Sequence, residues 1–338
     1  MDHLKLPKIS IVIVTLNNER TIEDCVLSIK MQDYPRKLIE YINVDGGSYD
    51  KTTSILRSYG YKIIRSSIKR NAEAQRGIGL KIATNDYIVS IDADNYLPDK
   101  NWLKKMVQPF IDDPSIVHAG TMHFSYRKSD SFYNRYCALF GATDPVAFYV
   151  GKPDRVPYYI TKWTRGLVVK ETSTYYIVEF DRETLPTVGC NGVVYKKSIL
   201  IKFASSGTKE FMHIDVFADL VEKGLNKFAV VKNDIAHDTA VTLGSLMRKR
   251  IAFLSGYYLL NTTKRRYLIY DPHRIKDNVR LLLFIVYTVT FIKPFIDSLR
   301  GYMVIKDFAW FAHPAVCWVY LYSYTFNMVK SRVARQFT

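Results

Sequence analysis

The chain of 338 residues has few cysteines, and none lies at the paired spacing of a zinc motif or a disulfide framework. The four are Cys25, Cys137, Cys190 and Cys317. Their scatter excludes a cysteine-rich secreted scaffold and fits a reducing compartment. Residues 1–8 are polar and the apolar run after them is only six residues long, so we predict no secretory signal peptide.

Acidic residues are also scarce relative to basic ones. The sequence has 32 Asp and Glu against 48 Lys and Arg, which gives a formal net charge of +16. This sign favours an anionic partner, which could be nucleic acid, a phosphorylated small molecule or an anionic membrane surface. The apolar share of 48% is enough for a full core, and the length fits one large domain with an appendage or two domains.

The sequence lacks an uninterrupted apolar run of the roughly 20 residues that a membrane-spanning helix needs. Two aromatic-rich apolar stretches, at residues 281–296 and 308–326, are interrupted by Pro294 and Pro314 respectively. We interpret them as in-plane helices or a shallow re-entrant hairpin, with aromatic side chains near the lipid headgroups. A buried helical subdomain or an oligomer contact is the alternative.

The first hundred residues alternate between short apolar runs and segments of helical periodicity. Strands are predicted at residues 9–14, 41–44, 61–65 and 87–91, and helices between them, including one at 72–83. Such alternation predicts an α/β fold with a mainly parallel sheet and helices on both faces. Beyond residue 99 the pattern is looser.

Two carboxylates follow the fourth predicted strand. Asp92 and Asp94 are spaced i, i+2 where the strand ends, so both can reach one cation if the backbone turns there. Mg²⁺ and Mn²⁺ prefer oxygen ligands and are typically held by one or two carboxylates plus substrate phosphates. Strand tips are also where α/β sheets bind ligands. The triplet therefore indicates a site for a metal-bound diphosphate, although an isolated Asp-x-Asp often marks an ordinary turn.

Four stretches carry a more specific pattern, and they are residues 12–19, 44–52, 76–79 with Ala83, and 91–94. In this order and spacing they resemble family 2 glycosyltransferases with the GT-A, Rossmann-like fold. The resemblance covers roughly residues 8–96 and is patchy beyond residue 100. It implies an inverting transfer of a sugar from a UDP- or GDP-linked donor, with Mn²⁺ or Mg²⁺ as the cofactor.

The resemblance also implies roles for individual residues. Those that would line the nucleotide site are Thr15, Asn17, Glu19, Asp45, Arg76 and Asp92. Those that would hold the metal are Asp94, as the more direct ligand, Asp92 and His237. Each has a structural alternative: Asp45 could only shape a turn, Arg76 could lie on a solvated helix face, and His237 could be a structural histidine.

A hydroxyl acceptor requires a general base, which the family usually carries in a Glu-Asp pair that opens a helix. The pair is missing from the equivalent stretch, residues 211–219. His213 occupies roughly the place of the second acid, and Asp215 follows two residues later. Counting back from Gly224 makes Asp215 the preferred base and His213 the second candidate. A phosphate acceptor, which is already ionised, would need little deprotonation.

A basic cluster, Arg248, Lys249 and Arg250, follows shortly after His237. It could clamp a diphosphate or lipid phosphate near the bilayer, or form a solvated or membrane-facing patch. The Gln-x-x-Arg-Trp signature of processive polysaccharide synthases is missing here. Together with the lack of long apolar runs, this disfavours a polymerase with its own export channel.

We therefore predict a GT-A domain at residues 1–240, with a nucleotide-binding half (1–98) and an acceptor half (99–240), followed by a basic, amphipathic, membrane-associating helical region (241–338). The predicted acceptor is a polyprenyl phosphate or lipid-linked glycan. The predicted location is the cytoplasmic face of the cell membrane, as a peripheral or monotopic protein or through a shallow hairpin. Homo-oligomer formation is left open.

The sequence leaves several alternatives. The acceptor could be soluble or a polysaccharide. A nucleotidyltransferase is disfavoured because it would normally show a glycine-rich basic loop near the first strand, and residues 16–19 form no such loop. A nicotinamide dehydrogenase is disfavoured because Gly77-x-Gly79 precedes a strand, whereas the dinucleotide-binding motif follows one. A basic nucleic-acid-binding or membrane-binding protein without catalysis is the non-enzyme alternative. We expect no nucleic-acid partner because no known binding motif is present.

Overall fold

The structure is a computed structural model that describes residues 6–69, 71–141, 144–203, 211–239, 241–253 and 265–336. The chain packs as two compact units, and each has its own core. Unit 1 comprises residues 1–123 and 163–237, and unit 2 comprises residues 124–162 and 238–338. By packing, the segment 124–162 therefore groups with the C-terminal part, whereas the functional division at residue 240 stays a prediction.

Unit 1 is built on a mixed sheet. Its strands are β1 (Ile9–Thr15), β2 (Ile39–Asp45), β3 (Lys62–Arg65), β4 (Tyr87–Asp92), β5 (Asn95–Tyr96), β6 (His118–Phe124), β7 (Leu167–Glu171), β8 (Tyr175–Glu179), β9 (Val193–Lys196) and β10 (Lys227–His237). The strand order is β3-β2-β1-β4-β9-β6-β10-β8-β7, and β5 pairs with β10. Strands β1 to β4 are parallel, while β9 pairs antiparallel with both β4 and β6.

Helices alternate with the parallel strands and dominate unit 2. Those of unit 1 are α1 (Ile22–Lys30), α2 (Thr52–Ser58), α3 (Ala72–Ile82), α4 (Trp102–Asp112), α7 (Lys197–Phe203) and α8 (His213–Glu222). Those of unit 2 are α5 (Phe132–Phe140), α6 (Pro145–Val150), α9 (Leu243–Phe253), α10 (Ile275–Thr290), α11 (Ile292–Val304) and α12 (His313–Gln336). The α/β alternation predicted for the first hundred residues is confirmed, and the later strands add antiparallel pairs to the predicted parallel sheet.

The central strand β1 explains how the functional edge is aligned. All seven of its residues are buried, as expected for a parallel strand that is covered on both faces. Its register sets Thr15 opposite Asp45 on β2 and Val14 opposite Asp92 on β4. Because parallel strands end at the same edge, the chemistry-bearing residues after β1, β2 and β4 share that edge.

Helix α3 packs tightly against β1 because Gly79 has no side chain. A Cβ atom at this position would lie 2.4 Å from Cγ1 of Val12. The close approach of the helix holds the preceding turn of α3, including Arg76, near the end of β4. A Gly79 side chain would push the helix away from the sheet and displace that arginine.

Unit 2 has a core rich in aromatic residues. Its buried side chains include Tyr136 and Phe140 of α5, and Trp310 and Tyr320 of the C-terminal helices. No described helix is on its own both long enough and apolar enough to cross a membrane. Helices α10 and α11 reach the length and apolar composition of a membrane span only when they are taken together, and a bend of 80° separates them.

Candidate active site

The loops after β1 and β2 are joined by reciprocal hydrogen bonds. The amide of Asn17 donates to Ser48 Oγ, and the Asn17 side chain accepts from the amide of Tyr49. Glu19 similarly accepts from the amide of Lys51 through its carboxylate. Asn17 has a left-handed φ of 56°, which asparagine tolerates better than most residues. The two loops predicted to line the nucleoside pocket therefore form one connected rim.

Asp45 lies beneath this rim and is fully buried. Its carboxylate accepts from the amides of Gly47 and Ser48, and from the hydroxyl of Thr15 at 3.3 Å. Thr15 also accepts from the side-chain amide of Asn43. In this geometry Asp45 shapes the turn, as the structural alternative proposed. Its predicted contact with a base or ribose stays a prediction.

Asp94 and His237 come together although 143 positions separate them in the sequence. The short strand β5 pairs antiparallel with the end of β10 and sets His237 opposite Asn95. This register places His237 Nε2 3.4 Å from Asp94 Oδ1. Both side chains are partly accessible, at 15% and 22%. A carboxylate oxygen and an imidazole nitrogen that converge at an accessible strand end fit a divalent cation such as Mn²⁺.

Asp92 points to a different partner. Its Oδ1 lies 2.5 Å from Nη2 of Arg76, and Nη1 of Arg76 lies 2.6 Å from Oε1 of Glu73. The Asp92 backbone amide donates to Asn95 Oδ1, which fixes the turn between β4 and β5. Of the three predicted metal ligands, Asp94 and His237 therefore face each other directly, and Asp92 is held by a buried arginine.

His213 opens helix α8 and is almost completely buried. Its Nδ1 lies 2.6 Å from Glu73 Oε2, and its Nε2 lies 2.6 Å from the carbonyl oxygen of Val188. Both partners are acceptors, so both ring nitrogens must carry hydrogen to satisfy them. The geometry thus specifies an imidazolium, which has no free nitrogen to take up a proton as a base would.

The electrostatics of this cluster agree with its geometry. Burial alone would lower the pKa of His213, but Cys190 and the Glu73 carboxylate raise it well above its ordinary value. Burial opposes ionisation of Glu73, but His213 and Arg76 lower its pKa to about 2. Burial also raises the pKa of the Cys190 thiol. Because the pKa of Glu73 is about 2, its carboxylate is ionised at neutral pH and is a charged partner of His213.

The remaining predicted residues lie as follows. Asp215 is buried in the first turn of α8, two residues after His213. In unit 2, Arg248 and Lys249 are exposed on α9, and Arg250 bonds the Asp144 carboxylate and donates to the hydroxyl of Tyr324. Arg250 therefore has a structural partner inside its own unit, unlike a residue devoted to a ligand.

Sequence reasoning did not select Glu73. The signal that could have found it is its position three residues before Arg76, because residues at i and i+3 are neighbours on a helix. The bond to His213 had no such signal, since it joins residues 140 positions apart.

Comparisons with known proteins identify the family of the chain. The model of glycosyl transferase family 2 matches residues 10–183, which is just over half of the chain. The chain therefore belongs to glycosyl transferase family 2, and the predicted family is confirmed. The matched region contains the rim loops, Asp45, Arg76, Asp92 and Asp94.

Individual relatives are similar over shorter regions. The glycosyltransferase AglE of Haloferax volcanii is 25% identical over 136 residues, which cover 39% of this chain and 44% of that protein. A dolichyl N-acetyl-alpha-D-glucosaminyl phosphate 3-beta-D-2,3-diacetamido-2,3-dideoxy-beta-D-glucuronosyltransferase of Methanococcus voltae is 31% identical over 108 residues, which cover 30% of this chain and 33% of that protein. The matches thus span less than half the length of these relatives.

Among solved structures, the mannosyltransferase PcManGT from Pyrobaculum calidifontis, in complex with GDP-Man and Mn²⁺, has a similar fold. The TM-score is 0.53 at 14% identity, and the match covers 95% of this chain and 87% of that chain. At this identity the likeness concerns the fold alone. It agrees with the predicted α/β fold of the GT-A type.

Proposed function

We propose that this chain is a metal-dependent glycosyltransferase that moves a sugar from a nucleotide-sugar to a lipid-linked acceptor. The observation that carries the proposal is the convergence of Asp94 and His237, next to Asp92, at the carboxyl edge of the parallel strands. Family membership and the rim made by the loops after β1 and β2 support it. The donor is UDP- or GDP-linked, and the likeness of fold to an enzyme solved with GDP-Man and Mn²⁺ is consistent with this.

In this proposal Asp94 and His237 would hold a divalent cation, Mn²⁺ or Mg²⁺, and such an ion would supply positive charge for the leaving diphosphate. Asp92 keeps the turn between β4 and β5 in place and faces the nucleotide, and its carboxylate is bonded to Arg76. Thr15, Asn17 and Glu19 position the loop against the nucleoside. The acceptor oxygen forms a bond to the anomeric carbon as the bond from that carbon to the diphosphate oxygen breaks, with inversion.

The proton of a hydroxyl acceptor needs a destination. Both ring nitrogens of His213 already face acceptors, so His213 is a poor candidate. Asp215, in the first turn of the same helix, is the preferred base. A phosphate acceptor attacks through an oxygen that is already ionised and does not need this residue.

The lipid-linked acceptor and the membrane contact rest on the apolar surface of unit 2. Helix α10 exposes Val279, Leu282, Leu283, Val286 and Val289, which lie three or four residues apart and form one stripe. Helix α11 exposes a second stripe of the same spacing, made of Ile292, Phe295, Ile296, Leu299 and Met303. Exposed apolar stripes of this size are typical of protein or membrane contact sites.

Basic residues in the same unit fit an anionic lipid surface. Arg248 and Lys249 are exposed on α9, and each basic residue near a membrane surface contributes about 1 kcal/mol to binding anionic lipid. The name of the Methanococcus voltae relative describes a transfer that involves a dolichyl phosphate sugar, which is consistent with a lipid acceptor. We propose a peripheral or shallow-hairpin attachment at the cytoplasmic face of the cell membrane.

The transfer experiment uses the full chain with radiolabelled UDP- and GDP-sugars, Mn²⁺, and vesicles that contain polyprenyl phosphate. We expect label to move into the organic phase in a reaction that EDTA stops. Asp94→Asn serves as the variant lacking a metal ligand. Equal transfer in EDTA would contradict metal dependence, and label that moves only to soluble oligosaccharides would replace the lipid acceptor with a soluble one.

Membrane attachment is tested separately by flotation with vesicles of anionic lipid. Leu282→Asp, on the α10 stripe, should reduce the floated fraction severalfold. Leu167→Asp in unit 1 is the matched control, because the two leucines are exposed to 60% and 62%. If both variants float like the original chain, the α10 stripe is not the membrane contact.

A further inference from the structure

A row of charged residues, three of them buried, connects the donor site to the start of helix α8. Asp92 bonds Arg76, Arg76 bonds Glu73, and Glu73 bonds His213. The signs alternate from negative to positive along this row. Glu73, Arg76 and His213 are exposed by only 4%, 8% and 9%. We call these four residues the charge row.

Each member of the charge row depends on its neighbour. A buried ion that loses its partner is left uncompensated, and in proteins this is strongly unfavourable. The guanidinium of Arg76 is planar and presents its donors in a fixed fork, so its orientation follows the carboxylates on its two sides. Because Glu73 occupies Nη1, Nη2 is directed at Asp92. The position of the Asp92 carboxylate is thus fixed by its bond to Arg76.

His213 contributes by fixing Glu73. The two oxygens of the Glu73 carboxylate have different partners, because Oε1 bonds Arg76 and Oε2 bonds the His213 ring. The Glu73 Oε2 also accepts from the backbone amide of His213, at 3.3 Å. The opposite ring nitrogen is anchored on the Val188 carbonyl. Glu73 is therefore held from both sides.

We propose that Glu73 and His213 are positioning residues for the sugar-donor site, which act on Asp92 through Arg76. The proposal rests on the proposed function, since it concerns the carboxylate next to the metal pair. Under this proposal His213, which lies roughly where the family carries the second acid of its Glu-Asp pair, is a positively charged residue that helps to position the donor site. It has no role in removing the acceptor proton.

A metal ion is the competing explanation for this cluster. The ligand atoms of Glu73, Cys190 and His213 all lie within 4.8 Å of one another. The positive charge of Arg76 directly on Glu73 disfavours a second cation there. Elemental analysis of the purified chain decides the point: a stoichiometric metal that Cys190→Ala removes would overturn the positioning proposal.

The pair itself is tested by ¹⁵N NMR of the histidine rings in the full chain. His213→Gln identifies the His213 signals by their loss. We expect two protonated ring nitrogens at pH 7, and conversion to a neutral ring at that pH in Glu73→Gln. Cys190 and Glu73 both raise the pKa of this ring, and Arg76 bonds Glu73. Cys190→Ala is therefore measured in parallel, and it should keep the imidazolium because the pair with Glu73 stays in place. A neutral His213 in the unaltered chain would refute the proposal.

The effect on the donor site is tested by kinetics and by binding. Glu73→Gln should raise the donor KM and the Mn²⁺ activation constant about 10- to 100-fold, as loss of outer-sphere partners commonly does. The acceptor KM should stay within about twofold, and Glu73→Asp should restore part of the loss. Glu40→Gln is the control, because Glu40 accepts from Ser10 near the opposite end of the strands.

Failure of the two proposals can be told apart. If the unaltered chain transfers no sugar, the proposed function fails, while binding of Mn²⁺ with UDP or GDP by calorimetry still compares the unaltered chain with Glu73→Gln. Weaker binding in the variant supports positioning. If Glu73→Gln leaves the donor KM and this binding unchanged, or lowers only the acceptor rate, positioning is wrong whatever the chain transfers.

Discussion

Two histidines, one in each unit, are both buried and are held in opposite charge states. His213 in unit 1 lies between a carboxylate and a carbonyl, and its pKa is raised well above its ordinary value. His313 in unit 2 lies between the hydroxyls of Tyr136 and Tyr149, each at 2.9 Å. Burial and the nearby Lys293 lower the pKa of His313 to about 3. Burial favours the neutral ring in both, so the partner decides the charge.

A second contrast separates acids that bond buried or half-buried cations from an acid at an accessible strand end. In unit 2, Asp277 bonds the buried Lys152, and Asp307 bonds Arg135, so these carboxylates join distant segments of the unit. In unit 1, Asp94 lies 3.4 Å from the ring of His237 and stays partly accessible. An acid that bonds a buried cation stabilises the fold, whereas a partly accessible acid beside an imidazole can be reached by a ligand.

The largest effect that we expect with every kind of acceptor is on the accessible pair, Asp94 and His237. Asp94→Asn removes the charge that would hold the cation, so transfer should fall by about 100-fold or more, since a bound metal supplies several kcal/mol of charge stabilisation. The melting temperature should change little, because the Asp94 side chain is partly accessible to solvent. Steady-state rates and thermal unfolding measure the two. Near-normal turnover would remove Asp94 from the metal site.

Asp215→Asn tests the base. With a hydroxyl acceptor, transfer should fall by about 10²- to 10⁴-fold, the range in which general bases contribute. Glu222→Gln at the other end of α8 is the control and should keep the rate. If the rate with a polyprenyl phosphate acceptor is unaffected while a hydroxyl acceptor is not used, the acceptor is already ionised and no base is needed.

Asp277→Asn is the counterpart in unit 2 and should act on stability. It leaves Lys152, exposed by only 1%, without its carboxylate, which typically costs about 3–5 kcal/mol. Asp271→Asn in the same unit is the control, because the Asp271–Arg274 pair is more exposed and should be worth about 0–1 kcal/mol. Denaturant unfolding measures both. Equal stability of the two variants would show that the buried Asp277–Lys152 pair holds the fold no more strongly than an exposed pair.

Much of unit 1 was predictable because its signals are local. The apolar run of β1, the helical period of α3 and the acids after β4 each lie within a short window, and the structure confirms the strands and helix there. His237 could be matched to Asp94 through its position after a late strand. The site at the acids after β4 needs only the knowledge that parallel strands end at one edge, whereas the role of His237 comes from the resemblance to family 2 glycosyltransferases.

The rest depends on contacts between distant positions. Asp45 stands at a strand tip where a ligand is expected, yet its oxygens are taken by the amides two and three residues on. Glu73 and His213 meet across 140 positions, and the segment 124–162 packs with the C-terminal part. No periodicity encodes such pairings, because they follow from the tertiary arrangement of the elements.

The smallest expected effects are pH dependences, and they have opposite signs for the two histidines. The folded pKa of His313 is about 3 and its unfolded value about 6.5, so the unfolded chain binds more protons between these values. Stability should therefore fall as pH falls through this window, by up to about 1.4 kcal/mol per pH unit. The groups near this ring are Lys293, Cys317 and, through Tyr149, Asp297.

For His213 the folded pKa lies above 6.5, so the folded chain binds the extra proton. Its contribution is fully present below pH 6.5 and is lost as pH rises through the folded pKa. Urea unfolding from pH 4.5 to 9 should show a shallower acid limb in His313→Gln and a shallower alkaline limb in His213→Gln. Glu73, with its pKa near 2, affects stability only below about pH 4.5 and leaves this window clear. If both variants flatten the same limb, the two histidines share one charge state and the contrast between the units does not hold.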